Sequence, residues 1–284
     1  MFEKELQSAV DAAKQAGGVV RELCKKGAVE RWRKKDGSWV TRADILAEKE
    51  INRVLVSALG RPVIVSEETA PPKGWVESDE VWFVDPIDGT AELVAGRDEF
   101  TINIGLSRGG VPVLGVIYAP LREELFIGVD GVGAWEEKND ERFTLSFGEG
   151  KLADETGKLR FVVSRSHDHP KLVSFLETLG AEKIVKLGST LKACEVVRGN
   201  VDAYVSLNYA SQWDTCAAEA IVRVAGGVFT DLSGRAIDYR SGELGVKGML
   251  AASPAVHASL LKEVRVLWPE REKYGKRRKW HAEG

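Results

Sequence analysis

The sequence predicts an α/β protein made of two unlike halves: an α+β N-terminal half with an antiparallel sheet, and a C-terminal half whose sheet is mostly parallel. Three observations carry this. Residues 100–135 alternate in hydropathy and are punctuated by Arg108-Gly109-Gly110 and Asp130-Gly131, which is hairpin chemistry. Beyond residue 160, short apolar runs each lead through a polar turn into a helical pattern. Between the two, hydrophobicity falls from Phe147 to Arg160 and Gly, Lys, Asp and Glu dominate, which marks a boundary. The expected organisation is a domain over 1–150, a domain over 151–268 and a polar basic tail over 269–284.

Each element has a local reason. Leu6, Val10, Ala13, Val19, Val20 and Leu23 recur at helical spacing over residues 2–25, with Gly17-Gly18 a point of expected irregularity. Lys34 to Ser38 reads as a turn or mobile loop. Thr41 followed by Asp44 resembles a capping box ahead of Ile45, Leu46, Ile51, Leu55 and Leu59. Strands are expected at Pro62–Val65 and Val81–Val84, and hairpins at Phe100–Tyr118 and Leu125–Trp135. In the second half, strands at Phe161–Val163, Lys183–Leu187 and Asp202–Val205 precede helices at Pro170–Leu179, Leu191–Arg198 and Trp213–Ala225, with 206–212 read as a loop. Strands at Val228–Thr230 and Met249–Ala252 and a helix over Pro254–Val266 complete the chain.

Composition bounds the function. A net charge of −3, with 29% charged and 44% hydrophobic residues, describes an ordinary globular protein without a generally basic surface, so no nucleic-acid partner is expected. Cys24, Cys194 and Cys216 have no Cys-x-x-Cys spacing, which argues for buried, reduced thiols and against a zinc site or a disulfide framework. The N-terminus lacks a basic region followed by an apolar core, and no run of about 18 apolar residues occurs, so a soluble cytoplasmic protein without membrane association is expected.

The chemistry centres on Val81 to Thr90. A buried apolar strand ends in Asp85-Pro86-Ile87-Asp88-Gly89-Thr90, which sets two carboxylates at a strand terminus with the Ile87 carbonyl between them. Backbone N–H groups of Gly89 and Thr90 at a helix opening attract phosphate oxygens. Taken alone, Asp-Pro and Asp-Gly are turn dipeptides. Other acids change the balance: Glu67 and Glu68 close the preceding strand, and Asp44 and Asp214 open helices. Polar strand ends at Ser164-Arg165-Ser166-His167 and Gly188-Ser189-Thr190, where capping is the plainer local role, lie where α/β sheets gather ligands.

Read together, these segments resemble the inositol monophosphatase superfamily of magnesium-dependent, lithium-sensitive phosphatases. Glu67-Glu68 is similar to its first acidic element, Asp85-Pro-Ile-Asp-Gly-Thr90 to its central motif, and Trp213-Asp214 with Ala217-Ala218 and Gly226-Gly227 to its C-terminal motif. The resemblance covers the chain up to about residue 268 and implies a layered αβαβα sandwich of the sugar-phosphatase type. Ser66-Glu-Glu, Ser164-Arg-Ser-His167, Gly188-Ser-Thr-Leu-Lys192 and Trp213-Asp-Thr-Cys-Ala look most like the 3'(2'),5'-bisphosphate nucleotidase branch. Some members carry an arginine where this chain has Ser206; Lys192, Arg165 and His167 are the candidate substitutes.

The resemblance implies two or three magnesium ions. Glu67, Asp85 and the Ile87 carbonyl hold one, Asp85, Asp88 and Asp214 a second, and a third lies near Glu67. Thr90, polarised by Asp44, orients the attacking water with Glu67 alongside. Gly89 and Thr90 receive phosphate, while His167, Ser189, Thr190, Lys192 and Asp214 face the substrate. The implied substrate is 3'-phosphoadenosine 5'-phosphate, with inositol monophosphate or fructose 1,6-bisphosphate as alternatives on the same metals and a non-catalytic phosphate-binding protein as a further one. Homodimers are common in the resembling family.

Overall fold

The computed structural model describes residues 2–27, 29–35, 37–147, 157–167 and 169–265. The expected tail over 269–284 and most of the expected boundary segment lie outside them. In chain order the elements are α1 (Glu3–Lys25), β1 (Arg31–Arg33), β2 (Trp39–Thr41), α2 (Arg42–Leu59), β3 (Ile64–Ser66), β4 (Glu80–Asp88), α3 (Thr90–Val94), β5 (Thr101–Arg108), β6 (Val111–Ala119), β7 (Glu124–Val129), β8 (Gly133–Lys138) and β9 (Glu141–Leu145). Then follow β10 (Arg160–Ser164), α4 (Pro170–Thr178), β11 (Lys183–Leu187), α5 (Leu191–Val197), β12 (Ala203–Ser211), α6 (Gln212–Val224), β13 (Val228–Thr230), β14 (Gly245–Ala252) and α7 (Pro254–Val264).

Two sheets organise the chain. The first runs β3-β4-β5-β6-β7-β8-β9 and is antiparallel except for the β3–β4 pair. The second runs β11-β10-β12-β14-β13. Only β14 opposes the other strands, pairing antiparallel with both neighbours, so the mostly parallel expectation holds in strand direction.

The alternation of side chains along these strands builds five layers. Ile102, Ile104, Leu106, Val116 and Ile127 face α1 and α2, whereas Ile117 and Phe126 face the opposite way, toward α5 and α6. Val162, Tyr204 and Ala251 of the second sheet close that middle layer from the other side. Phe161, Val163, Ala203, Val205 and Leu250 point outward onto α4 and α7. The order is helix, sheet, helix, sheet, helix, as the resemblance implied.

Helix α6 is seated by a row of glycines. Gly105, Gly115 and Gly128 are cross-strand partners on β5, β6 and β7. A Cβ on Gly115 would lie 2.2 Å from the Ala217 carbonyl oxygen, and one on Gly128 would lie 2.6 Å from the Ile221 Cα. The groove exists because no side chain fills it, and it admits the helix backbone itself.

The structure corrects the expected irregularity at Gly17-Gly18, the expected loop over 206–212 and the expected burial of Cys24, and adds detail elsewhere. Helix α1 runs unbroken through Gly17-Gly18; Gly17 gives room to the Tyr118 ring, which a Cβ would approach to 2.4 Å. The turn at Lys34 to Ser38 joins two short strands, β1 and β2, whose exposed Arg-Trp-Arg run carries no apolar alternation. Residues 206–211, read as loop, continue β12 to Ser211 across an irregularity between Ser206 and Tyr209. The polar Ser-Leu-Asn-Tyr run hides this strand because its order comes from pairing with β14. Cys194 and Cys216 are buried and Cys24 is partly exposed, all three free. No described helix is long and apolar enough to cross a membrane.

Behind α6, the Tyr239 hydroxyl lies 2.9 Å from Glu219 Oε2 and 3.0 Å from Thr215 Oγ1, with the Tyr239 ring edge-on to Phe83. Burial pushes the Glu219 carboxyl up to about 7 from an ordinary 4.5. Between those values the folded chain holds a proton that the unfolded chain has released, so stability falls as pH rises through this window, by about 3 kcal/mol in all. Glu219→Gln is expected to melt about 5 °C or more above the parent at pH 8, with the gap closing towards pH 4.5, in calorimetric scans across pH.

Candidate active site

The site forms where β3 and β4 end, α2 and α6 begin, and the hairpin β1–β2 folds over. Strand β4 runs through the motif to Asp88, and its pairing with β5 shifts between Asp85 and Asp88, so three steps on β4 match two on β5. In a regular strand residues three apart face opposite sides; this bulge turns Asp85 and Asp88 toward one side. The Ile87 amide donates to Asp85 Oδ1 at 3.0 Å, and the Ile87 side chain is buried in the core against α2. Gly89 then takes φ +93°, the left-handed conformation that lets the chain turn into α3.

Two further acids sit at the third position of a helix, and each reaches back to the capping backbone. Asp44 Oδ2 accepts the Thr41 amide at 2.8 Å and its hydroxyl at 2.5 Å, and Asp214 Oδ2 accepts the Ser211 amide at 2.7 Å. The positive end of each helix favours the carboxylate there. Capping and site chemistry coexist, because Asp44 Oδ1 accepts the Thr90 hydroxyl at 2.9 Å. The same Thr90 oxygen lies 3.2 Å from the Ile87 carbonyl.

Among the described residues, Glu67, Asp85 and Asp214 bring one carboxylate oxygen each to within 4.8 Å of one another. Burial, then Glu67, Asp88 and Asp214, push Asp85 well above the usual carboxylate range. Burial pushes Asp44 up to about 6 against its Thr41 and Thr90 hydrogen bonds, and Glu68 to about 7, with Glu67 adding to it and Lys34 opposing. Such an oxygen-only, anionic donor set suits a hard divalent cation.

Lys34 is the site residue that sequence reasoning missed. Its amine reaches Glu67 Oε1 at 3.0 Å and Glu68 Oε1 at 2.6 Å. Burial works against its charge, but the two glutamates outweigh it and hold the amine above its ordinary value. A lysine in an exposed turn has no local signal of this; only the fold of β1 onto β2 brings it there.

The C-terminal half supplies the opposite wall. Thr190 Oγ1 donates to Asp88 Oδ2 and accepts from the Asn103 amide at 2.7 Å. Ser189 has φ +52°, a strained value for serine. The buried Lys192 amine donates to the Ser189 carbonyl and lies 5.4 Å from the Tyr204 ring centroid; burial lowers it, opposed by Asp88, Glu92, Asp214 and Glu99. His167 is exposed on the turn after β10, where its backbone is held by Ser164 and Asn208. Arg165 is committed to Glu99 and the Lys186 carbonyl, which disfavours it as a substitute phosphate ligand. Ser206 is buried on β12 and accepts the Asn208 amide at 3.2 Å.

The sequence profile described as the Inositol monophosphatase family matches residues 2–268. The chain belongs to that family. Membership makes it a phosphatase. It is 36% identical over 238 residues to a 3'(2'),5'-bisphosphate nucleotidase CysQ of Salmonella typhimurium, a match covering 82% of this chain and 93% of the relative. Among solved structures it is similar to CysQ of Bacteroides thetaiotaomicron, a bacterial member of the family, with TM-score 0.73, 28% identity and coverage of 89% and 98%. It is also similar to the Thermotoga maritima IMPase, with TM-score 0.78, 26% identity and coverage of 94% and 99%.

The Lys34 ion pairs compete with any cation for Glu67. Lys34→Met removes a charge interaction of about 1 kcal/mol, so magnesium is expected to bind with about a fivefold lower midpoint, read from metal-induced shifts in melting temperature.

Proposed function

We propose that this chain is a magnesium-dependent phosphatase acting on 3'-phosphoadenosine 5'-phosphate to give AMP and phosphate. The observation that carries the chemistry is the convergence of Glu67, Asp85 and Asp214 beside the Thr90–Asp44 pair. The substrate rests on the likeness to the curated nucleotidase along most of both chains.

In this reading Glu67, Asp85, Asp88, Asp214 and the Ile87 carbonyl would hold magnesium, two or three ions in all. Magnesium, when bound there, offsets the charge of the phosphate dianion and of the departing alkoxide, and lowers the pKa of water. The remaining work belongs to the chain. Asp44 Oδ1 accepts the Thr90 hydroxyl, so as Thr90 Oγ1 takes a proton from the attacking water its own proton passes to the Asp44 carboxylate, which ends the step protonated. Asp44 is itself fixed by its two bonds from Thr41, so the Thr90 hydroxyl is aimed before substrate arrives. The amides of Gly89 and Thr90 receive phosphate oxygens. Ser189, Thr190, Lys192 and His167 lie on the side where the nucleotide leaves.

Inositol monophosphate and fructose 1,6-bisphosphate are the competing substrates, since the metal ligands do not choose between leaving groups. Phosphate release from the three esters, side by side with magnesium and with or without lithium, tests the reading. The nucleoside bisphosphate is expected to give the highest kcat/KM, with lithium inhibition; a higher value for either sugar phosphate overturns the substrate, and no turnover of any ester overturns the activity.

Thr90→Val is expected to lower kcat about 100-fold or more while KM and the magnesium midpoint move little, and Thr90→Ser to restore most of the loss. Steady-state kinetics over a magnesium series read all three quantities.

A further inference from the structure

Glu92 and Glu99 take no part in the chemistry above, yet they are buried and lie between its two walls. Glu99 lies two residues before β5. Its Oε2 accepts Arg165 Nε at 2.6 Å and the Gly188 amide at 2.9 Å, and its Oε1 accepts Arg165 Nη2 at 2.8 Å. Arg165 in turn donates to the Lys186 carbonyl at 2.6 Å, and its own amide bonds the Leu187 carbonyl. Glu92 Oε1 accepts the Ser166 hydroxyl.

The backbone is equally tight. A Cβ on Gly188 would fall 2.6 Å from both the Glu99 carbonyl oxygen and the Glu92 Cγ. A Cβ on Gly89 would fall 3.1 Å from the same Glu99 carbonyl and 3.3 Å from Glu92 Oε2. One pair of glutamates therefore separates the turn that opens the phosphate side from the turn that opens the leaving-group side, and touches both.

We infer that Glu99 is a positioning residue that sets specificity: through Arg165 and the Gly188 amide it fixes the 164–167 and 188–190 turns, which receive the leaving group, at a set distance from the phosphate-binding turn at Gly89. The inference rests on the proposed phosphatase reading and deepens it. It assigns discrimination among esters to a residue that need not touch them. A carboxylate that accepts three hydrogen bonds, two of them from one guanidinium fork, holds an angle as well as a distance. Glutamine in its place keeps the volume and one acceptor but turns N–H groups toward the Arg165 fork, loosening the turns without altering the metal carboxylates.

The test compares parent, Glu99→Gln, Arg165→Lys and the double variant, each checked for a cooperative melt. For 3'-phosphoadenosine 5'-phosphate, KM is expected to rise about tenfold or more in Glu99→Gln, with a smaller change in kcat. The loss of kcat/KM on glycerol 2-phosphate, whose leaving group is too small to use those turns, is expected to be much smaller. Product inhibition gives a second readout: AMP binds about tenfold more weakly, while inorganic phosphate keeps its affinity. Arg165→Lys keeps the charge but loses the fork, and should show the same split even if Glu99→Gln does not fold. The double variant should be no worse than the worse single.

Equal losses on both esters and both products, no loss at all, or fully additive losses overturn the inference. The parent is assayed first: a parent inactive on the nucleotide overturns the proposed substrate, and the split is then read with its preferred ester and the matching alcohol. An active parent with unsplit variants overturns the role of Glu99 alone.

Discussion

Mutual repulsion among carboxylates is the constraint to which the rest of this structure answers. Ionised oxygens at 4.8 Å oppose one another by about 3 kcal/mol per pair even at an effective dielectric of 20. The fold meets this in several ways at once. Asp44 and Asp214 sit in the first turns of helices, where the backbone is positive and a capping amide takes one oxygen. Asp85 accepts the Ile87 amide, and Lys34 is folded over Glu67 and Glu68. The result is three carboxylates held with one oxygen each at a common point, which is what a divalent cation requires.

Much of this was legible in the chain because the residues that make the site also punctuate the secondary structure. Thr41 and Asp44 announce a helix start, Asp85 to Thr90 announce a strand end and a turn, and Trp213-Asp214 opens a periodic helical run. The same side chains then serve both purposes, so reading the caps also locates the acids. The two unlike sheets followed from hairpin chemistry before residue 147 and strand-turn-helix alternation after 160, whereas the order of the layers came from the family resemblance.

What could not be read depends on distance in sequence. Lys34 looks like any turn lysine until β1 pairs with β2. Glu99 sits among charges that suggest a solvated surface, in Arg97-Asp98-Glu99, and only the approach of Gly188 and Arg165 buries it. Residues 206–211 form a strand through their partner β14, so their own polarity says loop. Arg165 illustrates the reverse case: a basic residue in a polar turn suggested phosphate, but its fork already has a carboxylate and a carbonyl.

The glycine row beneath α6 limits how this enzyme can breathe. With the Ala217 backbone resting on Gly115 and the Ile221 backbone on Gly128, the helix cannot slide or roll without driving main chain into main chain. Asp214 therefore keeps its place against the seven-stranded sheet that carries Asp85, so the spacing of these two carboxylates is set by main chain resting on main chain and not by side-chain packing.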